Sequence, residues 1–210
     1  MITLIHPSRQ RSEKAFNTYS EWLVKSSAEH EIEHILSLDM DDPQLTTYQY
    51  VFGKPLINNN DCVVKATNRA AKLAKGDIFV YLSDDFQCPT DWDKLIVDAL
   101  DINKPCLLKV DDCLQRFKTD IVTIPIMTKA LYEKLGYFFH PEYRSMFCDQ
   151  DLYWVCKNNG WLIEREDLKF EHHHYCNKKA VKDETYTRSE GNWNQGVEVY
   201  SMRKLLDFPL

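Results

Sequence analysis

The sequence predicts an α/β protein whose mostly parallel central sheet is flanked by helices. Short apolar segments alternate with amphipathic ones through residues 1–100, the order expected of a parallel sheet covered on both faces. The 210 residues can bury one sizeable core, and no repeat, low-complexity segment or clear linker divides them. We therefore expect a single domain over residues 1–210.

The first half supplies three pairs of strand and helix. "ITLI" is apolar throughout and is ended by Pro7, whereas "EIEHILSL" alternates apolar and polar residues as a half-buried strand does. "DIFVYL" follows Gly76 at once and is apolar enough for a buried strand. The predicted strands are 2–5, 31–38 and 77–82, and the predicted helices are 12–27, 61–75 and about 90–100.

The second half is less regular but continues in the same class. "CLLKV" and "DIVTIPI" have the composition of strands, and two amphipathic segments are stopped by Gly136 and Gly160. The long segment "WLIEREDLKFEHHH" predicts a strand that ends in histidines. The predicted strands are 106–110, 120–126 and 161–174, and the predicted helices are 128–135, 149–159 and a terminal helix within 186–210.

Charge and cysteine content narrow the functional classes. The net charge of −6 and the pI near 5.6 do not support a broad basic surface for nucleic acid. The 7 cysteines are scattered, odd in number and without a CxxC pair, which favours reduced thiols and a cytoplasmic location. No apolar run reaches the length of about 18 residues that a transmembrane segment needs.

Polar side chains follow three of the predicted strands. The first strand ends in "HPSR", the second in "DMDD" and the third in "SDD". Ligands of open α/β sheets collect beyond the carboxyl ends of the strands. An acidic strand end beside a basic one predicts a phosphate ligand with a bridging divalent cation, which would also relieve the repulsion between Asp84 and Asp85. The simpler interpretation of Asp84 and Asp85 is a turn or a helix cap.

The histidine tract at 172–174 lies at a predicted strand end. Alternation along a strand sends His172 and His174 to one side and His173 to the other. One of the first two could complete a metal shell as a neutral imidazole. The alternatives are an exposed tract or, with Cys176, part of a zinc site, although no second ligand cluster is evident.

Five ordered motifs together resemble one known family. They are "ITLIHPSRQR", "LSLDMDD", "KATNRAAKLAKGDIFVYLSDDFQCP", "GYFFHPEYRSMFCDQDLYWVCKNNGW" and "FEHHH". This series, which covers residues 1–175, is similar to the GT-A glycosyltransferases near family 2, the inverting nucleotide-sugar enzymes. The third motif resembles that family's Ala-Arg-Asn-x-Gly helix, Gly-Asp strand and DxD-type motif, and the fourth resembles its Glu-Asp-x-Asp-Leu acceptor segment.

The resemblance implies a GT-A-like (Rossmann-like) fold and a metal-dependent inverting glycosyltransferase of the hexosyl- or pentosyltransferase class. Residues 1–105 would bind a nucleotide diphosphate sugar, residues 106–185 would carry the acceptor and catalytic groups, and residues 186–210 would form a tail. The acceptor could be a glycan, a lipid, a protein or a modified base. The implied nucleotide-sugar ligands are Pro7, Ser8, Arg9, Asp39, Asn68, Ser83 and Asp84.

The same resemblance implies the metal and the catalytic group. Mn²⁺ or Mg²⁺ would be held by Asp85, Asp84, His172 and His174, with His172 preferred among the histidines. Asp149 would be the general base, and Asp151 is the weaker alternative. Asp149 lies at a predicted helix start, so a helix-capping role is the simpler interpretation and the two roles are compatible.

Three positions depart from the family pattern. Leu82 stands where the first acid of an Asp-x-Asp-Asp pattern falls, Thr67 replaces the usual arginine before Asn68, and Cys148 stands where a glutamate often precedes the catalytic aspartate. Two other functions therefore remain open. A metal-dependent phosphohydrolase would also use clustered Asp and His. A nucleotide-sugar-binding module without activity would bind the donor and turn nothing over.

Overall fold

The computed structural model describes residues 1–114 and 117–210. Its strands are β1 Ile2–Pro7, β2 Ile32–Asp39, β3 Leu56–Asn58, β4 Ile78–Tyr81, β5 Phe86–Gln87, β6 Leu107–Asp111, β7 Ile126–Thr128, β8 Leu162–Lys169 and β9 Glu171–His172. Its α-helices are α1 Ser12–Val24, α2 Leu45–Phe52, α3 Val63–Ala71, α4 Trp92–Ala99, α5 Lys129–Leu135, α6 Cys148–Asn158, α7 Glu184–Glu190 and α8 Trp193–Leu205.

The predicted α/β class is confirmed by a seven-stranded central sheet. Its strand order is β3-β2-β1-β4-β7-β6-β8. The pairs β1–β2, β1–β4, β2–β3 and β6–β8 are parallel, and β7 alone runs antiparallel to its neighbours β4 and β6. Because β1 lies between β2 and β4, the three polar strand ends identified in the sequence meet at one edge of the sheet.

The core forms on both sides of this sheet. Every residue of β1 is buried, because one set of its side chains faces each layer of helices. On one face Ile5 and Phe79 pack with α3, α5 and α6, and on the other Ile2 and Leu4 pack with α1 and α4. Among the described residues, no helix is both long and apolar enough to cross a bilayer.

Two predicted strands have different bounds in the structure. The segment predicted over 120–126 joins the sheet only as β7, because Pro125 has no N–H to donate and regular pairing begins after it. The segment predicted over 161–174 is two strands, since β8 pairs with β6 and ends at Lys169, whereas β9 pairs antiparallel with β5 in a second sheet. Alternation along the chain cannot show that a strand changes partner.

The segment between β2 and α3 contains two elements that sequence periodicity did not reveal. The sequence of α2, "LTTYQYVF", is rich in threonine and aromatic residues, which have low intrinsic helix propensity. Tertiary contacts stabilise it instead. Tyr48 is fully buried, accepts a hydrogen bond from Arg11 N at 2.9 Å and shares another with Ser8 Oγ at 2.6 Å.

Candidate functional site

A cavity of about 540 Å³ opens beyond the carboxyl ends of β1, β2 and β4. It is the place where a parallel sheet binds ligands. Most of the residues predicted for the site line it: Pro7, Ser8, Arg9, Asp39, Ser83, Asp84, Asp85, Asp149, His172 and His174. As alternation predicted, His172 and His174 both reach the cavity, while His173 contacts Glu171 at 2.8 Å instead.

Asp84 is anchored into the fold. Its Oδ1 contacts His6 Nε2 at 2.9 Å, and its Oδ2 accepts from Ser8 Oγ at 2.9 Å. The His6 ring continues this chain to His34 Nε2 at 3.0 Å. Both carboxylate oxygens of Asp84 are thereby used to fix the turn after β4, so the geometry favours its neighbour Asp85 as the side chain that meets a ligand.

Asp85 and His172 are neighbours in the cavity wall. The β5–β9 ladder pairs Phe86 with His172, which brings His172 Nε2 to 3.4 Å from Asp85 Oδ2. Within residues 1–114 and 117–210, the buried atoms Asp85 Oδ1 and His172 Nδ1 have no hydrogen-bond partner. Burial acts to raise the pKa of Asp85, but the contact with His172 and the hydroxyl of Tyr186 hold it well below its usual value.

Asp85 and His172 have the chemistry of ligands for a divalent cation, but they supply only part of a coordination shell. A carboxylate oxygen and an imidazole nitrogen suit Mn²⁺, and each offers an unpartnered atom. Over the described part of the chain, however, no group of three or more His, Cys, Asp or Glu side chains is arranged to hold a metal ion. A cation at Asp85 and His172 would therefore need ligand oxygens to complete its shell.

Asp149 lies in the first turn of α6, at the cavity wall. The helix begins after Phe147, which has a left-handed backbone with φ 72°. Asp149 lines the cavity, and its Oδ1 accepts a hydrogen bond from Gln150 N at 2.9 Å. Burial raises the pKa of Asp149 to about 6, although it remains partly accessible.

Two predicted site residues do not line the cavity. Asn68 stabilises the segment before α6, because its Oδ1 accepts hydrogen bonds from Phe138 N and Phe139 N at 2.9 Å each.

Asp151 lies in the core instead of the cavity wall. It is 1% exposed and accepts hydrogen bonds from Tyr143 Oη at 3.0 Å and Arg203 Nε at 2.5 Å. The spacing of two residues from Asp149 turns Asp151 to the opposite side of the helix, toward the core.

Helix α7 supplies cavity residues that the motifs did not indicate. Tyr186 Oη donates to Asp85 Oδ2 at 2.5 Å. Arg11 is 7% exposed, makes a two-pronged ion pair with Asp183 at 2.8 and 2.7 Å, and stacks 4.3 Å from the centre of the Tyr186 ring. The sequence did contain a signal for Arg11, because it lies two residues after Arg9 in the first motif. No sequence motif indicated that Tyr186 would line the cavity.

Arginine side chains supply positive charge along the same cavity. Arg9 pairs with Asp39 at 3.0 Å and with Asp41 at 2.7 Å. Arg144 and Arg188 both donate to the backbone oxygen of Asp61, at 3.1 and 3.2 Å. Two guanidinium groups that converge on one carbonyl retain further N–H donors for an anion.

Comparison of the sequence alone gives no relative. No protein-family model matches it, and no curated protein does.

Comparison of the structure does give relatives. TarS of S. aureus aligns with a TM-score of 0.65 and 19% identity over 81% of this chain and 36% of TarS. The mannosyltransferase PcManGT of Pyrobaculum calidifontis, solved with GDP-Man and Mn²⁺, aligns with a TM-score of 0.64 and 15% identity over 88% of this chain and 58% of that one. Drosophila β-1,4-galactosyltransferase 7, solved with manganese, UDP-Gal and xylobiose, aligns with a TM-score of 0.54 and 12% identity over 89% of this chain and 78% of that one.

The chain therefore has the GT-A fold of glycosyltransferases, as the resemblance of its motifs implied. TarS was also solved with UDP and with UDP-GlcNAc. The present chain spans about a third of the full TarS chain and about three fifths of PcManGT.

Proposed function

We propose that this protein is a metal-dependent inverting glycosyltransferase that uses a nucleotide diphosphate sugar. The observation that carries the proposal is the pair of unpartnered buried atoms, Asp85 Oδ1 and His172 Nδ1, in one cavity with a carboxylate of raised pKa at Asp149. Pairs of titratable groups with opposed pKa shifts in a cleft are typical of active sites. The sugar would be a hexose or a pentose.

The donor would lie along the strand ends. Asp39, at the end of β2, and Arg9, just past β1, would hydrogen-bond the nucleoside. Arg11, Arg144 and Arg188, which line the same cavity, would supply positive charge for the diphosphate. Asp85 and His172 would hold Mn²⁺ or Mg²⁺ together with diphosphate oxygens. That cation, when bound, supplies Lewis-acid stabilisation of charge on the leaving diphosphate.

Transfer would proceed as one displacement. The acceptor hydroxyl oxygen forms a bond to the anomeric carbon while the bond from that carbon to the diphosphate oxygen breaks, and its electron pair leaves with the nucleoside diphosphate. Asp149 takes the hydroxyl proton. Because attack comes from the face opposite the leaving group, the anomeric configuration is inverted.

The proposal is tested by a thermal-shift screen of UDP-GlcNAc, UDP-galactose and GDP-mannose with and without Mn²⁺, followed by single-turnover assays on the donor that binds. A bound ligand raises the melting temperature through mass action. Sugar transferred to an added glycan supports the enzyme. Binding without turnover would support the non-catalytic module, and hydrolysis of the donor to a nucleoside monophosphate and a sugar phosphate, without sugar transfer, would support the phosphohydrolase.

Asp85→Ala is expected to abolish the Mn²⁺-dependent part of nucleoside diphosphate affinity. Asp85 lines the cavity and, among the described residues, its Oδ1 has no hydrogen-bond partner, so its loss removes the cation's charged ligand. His172→Ala should weaken the same affinity more mildly, because an imidazole carries no charge when it binds metal. Titration calorimetry with UDP or GDP, in Mn²⁺ and in EDTA, measures this. Asp101→Ala, an exposed aspartate outside the cavity, is the control. Affinity that is independent of metal and equal in all variants would remove the cation from the proposal.

Tyr186→Phe is expected to strengthen binding of Mn²⁺ alone by roughly 3- to 10-fold. The Tyr186 hydroxyl donates to Asp85 Oδ2 at 2.5 Å and so competes with a cation for that oxygen. Electron paramagnetic resonance of free Mn²⁺ gives the dissociation constant without any substrate. Tyr175→Phe, a change of the same kind on a neighbouring ring, is the control. Weaker Mn²⁺ binding in Tyr186→Phe would show that the hydroxyl orients Asp85 for the metal instead of competing with it.

A further inference from the structure

An exposed aromatic side chain lies at the cavity beside the start of α6, the helix that carries Asp149. Trp193, the first residue of α8, is 51% exposed and lines the cavity. Its ring meets Phe147 edge-on, with ring centres 4.9 Å apart and planes at 67°. Phe147 lies two residues before Asp149, so the indole is tied to the segment that holds the proposed base.

The position of this indole is fixed by the backbone around it. At Gly196 a Cβ atom would lie 2.6 Å from Met146 O and 2.8 Å from Phe147 Cδ2, so only glycine lets α8 approach this loop so closely. A hydrogen bond adds to this contact between α8 and the segment before α6, because Gln195 Nε2 donates to Glu142 O at 2.7 Å. Trp193 is therefore a pre-positioned surface and not a loose side chain, which lowers the cost of ordering it when a ligand binds.

Polar groups accompany the indole in the cavity wall. Ser189 and Asn192 precede Trp193 in the chain, Ser145 and Gln150 flank Phe147 and Asp149, and all four line the same cavity. A flat aromatic surface next to amides and hydroxyls suits a pyranose ring, which has one face of C–H groups and a rim of hydroxyls. The apolar residues at the far end of α8, Met202, Leu205 and Leu206, do not line the cavity, so the pattern does not continue as a channel for a lipid chain.

We propose that Trp193 is the stacking platform of an acceptor site for a carbohydrate. The pyranose ring of the acceptor would rest on the indole and turn one hydroxyl toward Asp149. This inference rests on the proposed glycosyltransferase activity and commits the acceptor to a glycan among the classes that the sequence left open. The proposed nucleoside site uses different residues, Asp39 and Arg9.

The test is saturation-transfer NMR and titration with chitobiose, cellobiose and mannobiose, using the full chain with and without UDP and Mn²⁺. Ribitol, an acyclic polyol without a ring face, is the ligand control. The parent is expected to bind at least one disaccharide through the C–H face of a ring, and Trp193→Ala to bind it about tenfold more weakly. Trp193→Phe should keep part of the affinity, and Met202→Ala on the same helix should match the parent. UDP affinity should be unchanged in all three variants.

Each other outcome is decisive. If the parent binds no disaccharide, or Trp193→Ala binds as the parent does, the carbohydrate platform is overturned. If Trp193→Ala weakens UDP affinity as well, the indole belongs to the nucleoside site and the proposal is wrong. Disaccharide binding that depends on Trp193, in a chain that binds no nucleotide, would keep the carbohydrate site and overturn the proposed transferase.

Discussion

Asp149→Asn is expected to reduce the rate of sugar transfer about 10²- to 10⁴-fold, the usual contribution of a general base. Asparagine keeps the shape and can still accept the hydrogen bond from Gln150 N, but it cannot take a proton. Donor affinity should be nearly unchanged, because the base acts on the acceptor hydroxyl. Single-turnover transfer and donor titration, measured on the same preparation, separate the two quantities.

The pH dependence supplies an independent readout of the same residue. Burial raises the pKa of Asp149 to about 6, so the parent's transfer rate should rise with pH through that value as the carboxylate forms.

The same raised pKa makes the stability of the fold depend on pH, because the folded state favours the protonated form of Asp149. The stabilising contribution is therefore present at low pH and is lost as pH rises through about 6. In EDTA, Asp149→Asn should gain melting temperature over the parent at pH 7.5 and show a smaller gain at pH 5.

Asp101→Asn serves as the control, since it removes an exposed carboxylate outside the cavity. It should leave transfer, its pH profile and the melting temperature as in the parent. Transfer by Asp149→Asn at the parent rate would place the base elsewhere. An Asp149→Asn protein that unfolds would show that the carboxylate mainly supports the start of α6.

Arg203→Ala is expected to destabilise the fold by about 3–5 kcal/mol, the cost of leaving one charge of a buried ion pair alone. Arg203 and Asp151 are 6% and 1% exposed and meet at 2.5 Å. Arg203 also donates to Pro209 O at 2.7 Å, so it fastens the end of the chain to α6. Urea denaturation followed by tryptophan fluorescence gives the free energy of unfolding.

Two variants sharpen this result. Lys94→Ala breaks an exposed pair with Glu29 and should change stability little, because surface ion pairs are screened by water. The double variant Asp151→Leu with Arg203→Met removes both charges together and should lose less than Arg203→Ala. If Arg203→Ala is as stable as the parent, Asp151 is neutralised in another way. If it stays folded and stable but loses transfer, Asp151 would return as a candidate for the base.

Much of the cavity wall at the strand ends could be predicted from the sequence. The alternation of strand and helix over residues 1–100 predicts a parallel sheet, and in such a sheet Ser8, Asp39 and Asp85 lie at or just past the ends of strands and so meet at one edge. Alternation along the histidine tract likewise placed His172 and His174 on one side. These results depend only on local periodicity, which a single sequence contains.

The division of roles within each acidic pair was decided by tertiary structure. Asp84 is held by His6 and Ser8, which belong to a different strand and its following loop, and Asp151 is held by Arg203, which lies 52 positions later. The contacts of Tyr186 and Trp193 with the cavity depend on how α7 and α8 fold back over β1 and α6. The sequence by itself determined the parallel strands β1, β2 and β4 and the edge where they end, because periodicity is local. The tertiary structure alone decided which carboxylates are paired, because burial and charge pairing depend on residues distant along the chain.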